Sequence, residues 1–129
     1  MWFQQDDSVE IDEWPGQEYI VEKVLWGGMG VLYKCREKDR PELKIVLKTL
    51  RPDLIARPDA KERFRWEAEA WINLGDHPNI VRAHFLARIS GEPHLVLEYI
   101  EGVIYAMRFS TDHLISKRSL TAVYRLAMG

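Results

Sequence analysis

Cysteine occurs once in the 129 residues, at Cys35, so no internal disulfide can form and a reducing, cytoplasmic setting suits the chain. No apolar run approaches the length of a membrane span. The N-terminus is acidic, where a secretory signal would be basic and then apolar. An excess of charge is also missing. Lys and Arg number 18 against 20 Asp and Glu, and a net of −2 leaves no footprint for nucleic acid or an anionic membrane. The four histidines, at 77, 84, 94 and 113, lack metal-ligand spacing and read as turn or surface residues. Internal repeats and low-complexity segments are absent.

What is present is one domain's worth of chain at 47% hydrophobic, enough to bury a core. Residues 1–16 hold five acids (Asp6, Asp7, Glu10, Asp12, Glu13) and no base. They read as an acidic, mobile leader closed by Trp14-Pro15-Gly16. Trp2, Phe3 and Trp14 could pack it back on the body.

The stretch Trp26-Gly27-Gly28-Met29-Gly30-Val31-Leu32-Tyr33 organises the rest. It joins two strand-type runs, Tyr19–Leu25 and Val31–Cys35. Glycine adds no Cβ and tolerates positive φ, so the loop can turn tightly and bring backbone N–H groups to a ligand. Consecutive N–H groups pointing one way make a concave anion site. The bland alternative is an ordinary glycine hairpin. A P-loop is excluded because no Gly-Lys-Ser/Thr follows Gly30. A dinucleotide fingerprint is excluded because the loop enters a strand and not a helix.

Further along, Arg36–Arg40 is a charged turn and Leu43–Leu50 a third strand, apolar on both faces, with Cys35 and Lys48 attached to this core. Arg51–Asp59 contains two prolines and reads as loop. Asp59 or a neighbour caps a helix over Ala60–Leu74, ended by Gly75. Phe64, Ala68, Trp71 and Ile72 form its apolar stripe, and Glu67 projects from or beside it. A carboxylate heading toward a core costs several kcal/mol unless paired. A cation about 4 Å away returns roughly 4 kcal/mol at an effective dielectric of ~20. Lys48 is the candidate partner; the alternative is a solvated Glu67 at the helix edge. Ile80–Ile89 and His94–Ile100 are two more strands around a Ser90-Gly91-Glu92-Pro93 turn. Short amphipathic helices are expected over Phe109–Ile115 and Ser119–Met128.

Gly27-Gly28-Met29-Gly30-Val31-Leu32-Tyr33-Lys34, Val46-Leu47-Lys48, Phe64-x-x-Glu67-Ala68, His77-Pro78-Asn79-Ile80-Val81 and Leu97-Glu98-Tyr99-Ile100-Glu101-Gly102 follow in one order. Lys48 lies eighteen positions after Gly30, and Glu67 nineteen positions after Lys48. This series resembles the N-terminal lobe of protein kinases, specifically bacterial serine/threonine kinases of eukaryotic type, over residues 17–102. The resemblance implies an α+β fold, a twisted five-stranded antiparallel sheet packed against one long helix with a short helical C-terminal tail. Residues 103–129 would begin the helical second lobe. It implies ATP beneath the glycine flap, with Gly27, Gly28, Met29 and Gly30 over the phosphates. Lys48 would hold the α- and β-phosphates and Glu67 would orient Lys48. Leu32 and Val46 would roof the adenine, Leu97 would control the back of the pocket, and Glu98, Tyr99 and Ile100 would form the hinge.

Two positions depart from the family pattern. Leu25 stands where the flap's first glycine belongs, which stiffens the flap, and Val46 replaces the usual alanine, which narrows the adenine roof. The His-Arg-Asp and Asp-Phe-Gly loops that supply the catalytic base and the Mg2+ ligands have no match. After Asn79 no asparagine occurs, and after Asp112 no aspartate. The resemblance therefore implies a lobe that phosphorylates a protein substrate only as part of a longer kinase. A non-catalytic, kinase-like binding module is the competing expectation. Standing alone, the lobe would expose Leu32, Val46 and Leu97 to water.

Overall fold

The computed structural model describes residues 2–28, 30–76, 78 and 80–103. The helices expected at Phe109–Ile115 and Ser119–Met128, and with them nearly all of the proposed 103–129 segment, lie outside these residues. The elements run β1 (Ser8–Glu10), β2 (Glu18–Trp26), β3 (Gly30–Glu37), β4 (Lys44–Leu50), α1 (Pro52–Ile55), α2 (Pro58–Asn73), β5 (Ala83–Ile89) and β6 (Glu92–Glu98). The strands form one antiparallel sheet in the order β1-β2-β3-β4-β6-β5.

The sixth strand corrects the expected count of five and comes from the supposed leader. Ser8, Val9 and Glu10 pair with Ile20, Tyr19 and Glu18 of β2. Val9 and Ile11 are buried at 1% and 0% exposure. The acids that suggested mobility tie the segment down. Asp12 accepts from the Ser90 and Gly91 N–H groups at 3.2 and 3.1 Å, and Glu13 accepts from the backbone N–H and the Nε of Arg88. The Arg88 N–H, outweighing burial and joined by the Arg88 side chain, holds the Glu13 carboxyl below its usual range. Alternating Val9 and Ile11 bury one face while the acids between them stay outside, which is strand behaviour.

Arg51–Asp59 is not all loop either. Pro52 and Pro58 occupy first-turn positions of α1 and α2, where a missing N–H costs nothing. The N-cap of α2 is Arg57 without a side-chain capping bond, so Asp59 sits in the first turn and does not cap it. Gly75, at φ 67°, lets the chain leave α2 in the left-handed conformation while its N–H bonds the Ile72 carbonyl at 3.0 Å.

Period-two alternation divides the sheet into two faces. The near face carries Leu25, Leu32, Val46, Leu50, Leu95 and Leu97 against Phe64, Ala68 and Trp71 of α2. Trp71, 1% exposed, donates its indole N–H to the Val81 carbonyl at 2.7 Å and fixes the turn after the helix. The far face carries Tyr19, Val21, Val31, Tyr33, Cys35, Leu47 and Val96, and the N-terminal segment covers it. A bulge between Val21 and Lys23 resets β2 so that Val21 and Val24 stay on the far face while Leu25 crosses to the near one.

Candidate functional site

The loop between β2 and β3 enters a strand, as its flanks require. Trp26 pairs with Val31, and the Gly27 N–H donates to the Gly30 carbonyl at 2.9 Å, closing the tip. That bond engages one of the amides assigned to the phosphates. Gly28 is open, since a Cβ built there would meet nothing within 4 Å. Gly30 is confined: a Cβ would stand 2.9 Å from the Thr49 carbonyl oxygen, so β4 can approach only a glycine. Met29 lies outside the described residues.

Register places the remaining candidates. Lys48 lies between Leu32 of β3 and Leu95 of β6, and Val46 lies between Lys34 and Leu97. Leu32, Val46, Lys48 and Leu97 therefore share the near face, the one α2 covers. Glu67 is on α2, one turn before Trp71, and its carboxylate pairs with Arg63 Nε at 3.1 Å. The Lys48 ammonium lies 6.0 Å from the Trp71 ring centroid. Burial drives the Lys48 pKa below the usual lysine value, and the charge of Glu67 opposes that shift. Lys48 and Glu67 are thus in electrostatic reach on one side of the sheet.

The expected hinge follows β6. Glu98 ends the strand and accepts the Arg82 N–H at 2.9 Å. Tyr99 and Ile100 pack on the near-face core, and Lys34 Nζ stands 4.8 Å from the Tyr99 ring centroid. Glu22 gathers Lys34, Arg36 and Lys44 at 3.8, 3.9 and 3.3 Å along the same face.

Two expectations need correction. Leu32, Val46 and Leu97 do not face water; they are 2%, 1% and 0% exposed and form one cluster with Leu25 and Val103. Leu25, the departure at the first glycine, is itself a core residue paired with Leu32. His94 is neither a turn nor a surface residue. It is 5% exposed, with Phe3 and Tyr33 rings 6.4 Å away, and burial lowers its pKa. Among the described residues no group of three or more His, Cys, Asp or Glu is placed to hold a metal, and no helix is long and apolar enough to cross a membrane.

Sequence reasoning did not single out Arg51. Its Nη1 donates to the Gly27 carbonyl at 2.9 Å, and its guanidinium lies 5.3 Å from the Trp26 ring centroid. An arginine three residues beyond Lys48, at the end of the same strand, was the available signal.

A curled antiparallel sheet, a single long helix and a glycine hairpin above a strand lysine define the N-terminal lobe of the protein-kinase fold. No protein-family model matches the chain. The crystal structure of the Mycobacterium tuberculosis PknI kinase domain superposes with a TM-score of 0.56 at 23% identity, over 85% of this chain and 42% of that one. Serine/threonine-protein kinase PknJ of the same species is 35% identical over 85 residues, 65% of this chain and 14% of PknJ. Serine/threonine-protein kinase PrkC of Bacillus subtilis is 33% identical over 90 residues, 68% of this chain and 13% of PrkC. The chain is a kinase N-terminal lobe of the bacterial serine/threonine type, and it spans about a seventh of the length of these two relatives.

Proposed function

We propose that this lobe binds ATP on its near face and that, within a complete kinase, it serves γ-phosphoryl transfer from Mg-ATP to protein serine or threonine hydroxyls in the cytoplasm. One observation carries the reading. Lys48 is a lysine on a central strand, turned to the same side as Glu67 of α2, next to a glycine hairpin. Burying an ammonium is costly, and an electrostatic partner on a helix is what makes such a charge useful for an anionic ligand. The residues suit a triphosphate in charge, with open space at Gly28. Gly28 leaves its backbone open, Lys48 supplies the cation, and Glu67 holds it. Gly30 keeps β4 close beneath the hairpin. Leu32, Val46 and Leu97 would contact the base, with Glu98, Tyr99 and Ile100 along its edge. Bound Mg2+ would neutralise phosphate charge during transfer, and its ligands belong to the second lobe.

A second reading has a specific observation behind it. The adenine surface is closed by core packing, with Val46 and Leu97 at 1% and 0% exposure. A lobe closed in this way also suits a non-catalytic binding module. The two separate on ligand binding. Titrating residues 1–129 with Mg-ATP should give saturable binding at about millimolar Kd, a ΔG near −4 kcal/mol, because half of the nucleotide's surroundings lies elsewhere. Absence of saturable binding favours the module.

A further inference from the structure

Arg51 follows the last residue of β4 and precedes α1, three positions beyond Lys48. Its guanidinium makes two contacts with the glycine hairpin, the 2.9 Å bond from Nη1 to the Gly27 carbonyl and the approach to Trp26 at 5.3 Å. Its other neighbour is weaker, with Asp53 Oδ1 at 4.0 Å from Nε. Trp26 is adjacent to near-face Leu25, so it stands on the far face, where Trp2 reaches it at 6.2 Å between ring centroids. Arg51 therefore grips the hairpin from the side opposite Lys48.

In a trans peptide the C=O and the following N–H point in opposite directions. Holding the Gly27 carbonyl toward Arg51 turns the Gly28 N–H the other way. Two glycines flank this peptide, so without a partner it would flip at little cost. Flipped, it would offer carbonyl lone pairs to an approaching phosphate. We propose that Arg51 is a positioning residue for the hairpin, fixing the Gly27–Gly28 peptide so that its N–H serves the anionic end of a nucleoside triphosphate. This rests on the nucleotide reading for the ligand but not for the latch itself. Lysine is a poor substitute, since a point charge on a flexible stem cannot bond the carbonyl and lie along the indole together.

The test uses Arg51→Ala and Arg51→Lys in the full 129-residue chain, with two readouts. In the unliganded protein, exchange of the Gly27 amide, which is bonded to the Gly30 carbonyl, should accelerate roughly tenfold in Arg51→Ala and less in Arg51→Lys. Mg-ATP affinity should fall several-fold while adenosine affinity stays unchanged. Gly27 exchange within about twofold of wild type in both variants overturns the latch. Equal weakening of ATP and adenosine overturns the phosphate-directed role and leaves a structural one. Should wild type bind neither ligand, the nucleotide reading fails, and the exchange arm alone decides the latch. If Arg51→Ala does not fold, Arg51→Lys carries both readouts.

Discussion

The two faces of the sheet solve different problems with the same strands. The far face is mainly aliphatic and aromatic, and two of its polar groups bond locally. The Thr49 hydroxyl donates to the Pro93 carbonyl at 2.8 Å, and His94 Nδ1 lies 3.0 Å from the Glu92 carbonyl. Cys35 belongs to this face, fully buried, its thiol pushed up to about 12 by burial and, less, by Glu22, so it packs as an inert apolar group. The near face carries Lys34, Lys48 and Glu22 on its strands and Glu67 on its helix. Charges there are kept and paired, Glu22 with Lys44 at 3.3 Å and Glu67 with Arg63 at 3.1 Å. A face built only for stability would replace them with apolar groups of similar volume. The contrast separates a mainly apolar face from one that retains charge, and on the proposed function the retained charge serves a ligand.

Substitutions can break that contrast in a graded way. Trp71→Ala removes the largest fully buried side chain and its bond to Val81, and should cost about 3–5 kcal/mol in urea unfolding. Ile11→Ala on the far side should cost roughly 2–5 kcal/mol. An acidic segment that did not pack would show almost no change, so this variant tests the N-terminal cover directly. Lys48→Met should act oppositely and raise Tm. The Lys48 pKa is lowered in the fold, so its burial opposes stability below the unfolded lysine value of about 10.5, including at neutral pH. A lower Tm would mean that its interactions with Glu67 and Trp71 outweigh desolvation.

The smallest expected effect is a pH dependence. His94 has a lowered pKa in the fold, chiefly through burial, with the Glu92 carbonyl and the Glu92 and Asp12 charges opposing. Below the unfolded value of 6.5 the unfolded chain binds the extra proton first. Stability should therefore be complete above that pH and decline as pH falls from it toward the folded value. Measuring urea midpoints across this range in wild type and His94→Gln should show a shallower slope in the variant, the remainder belonging to His84, whose pKa burial and then Arg82 also lower. Loss linked to Glu13, whose pKa is also lowered, belongs below its ordinary 4.5 and is separable by its window.

Most of the fold was legible because its elements repeat strongly. Val21, Val24, Val31, Tyr33 and Cys35 alternate as strands require, and Phe64, Ala68 and Trp71 recur at helical spacing. The three-residue β1 was not legible, because Val9 and Ile11 are too short a pattern to outweigh five acids, and the partners of Asp12 and Glu13 lie about 75 residues away. Pro52 and Pro58 misled because proline marks both a loop and a first helical turn. Gly30, Lys48 and Glu67 were placed by type and spacing on the glycine hairpin, the third expected strand and the helix, where the structure has them. Closure of Leu32, Val46 and Leu97 depended on Leu25, whose direction is set by the bulge after Val21. Arg51 was missed because its role comes from meeting a carbonyl 24 residues earlier.

The central claim is that Lys48, with Glu67 beside it, is the anion-binding charge of the near face. The most direct measurement is a Mg-ATP titration of the wild-type chain and Lys48→Met, followed by amide chemical shifts. The account predicts saturable shifts at Gly28 and along β4 in wild type, at about millimolar Kd, and none in the variant. Equal shifts and equal affinity in both proteins would contradict it.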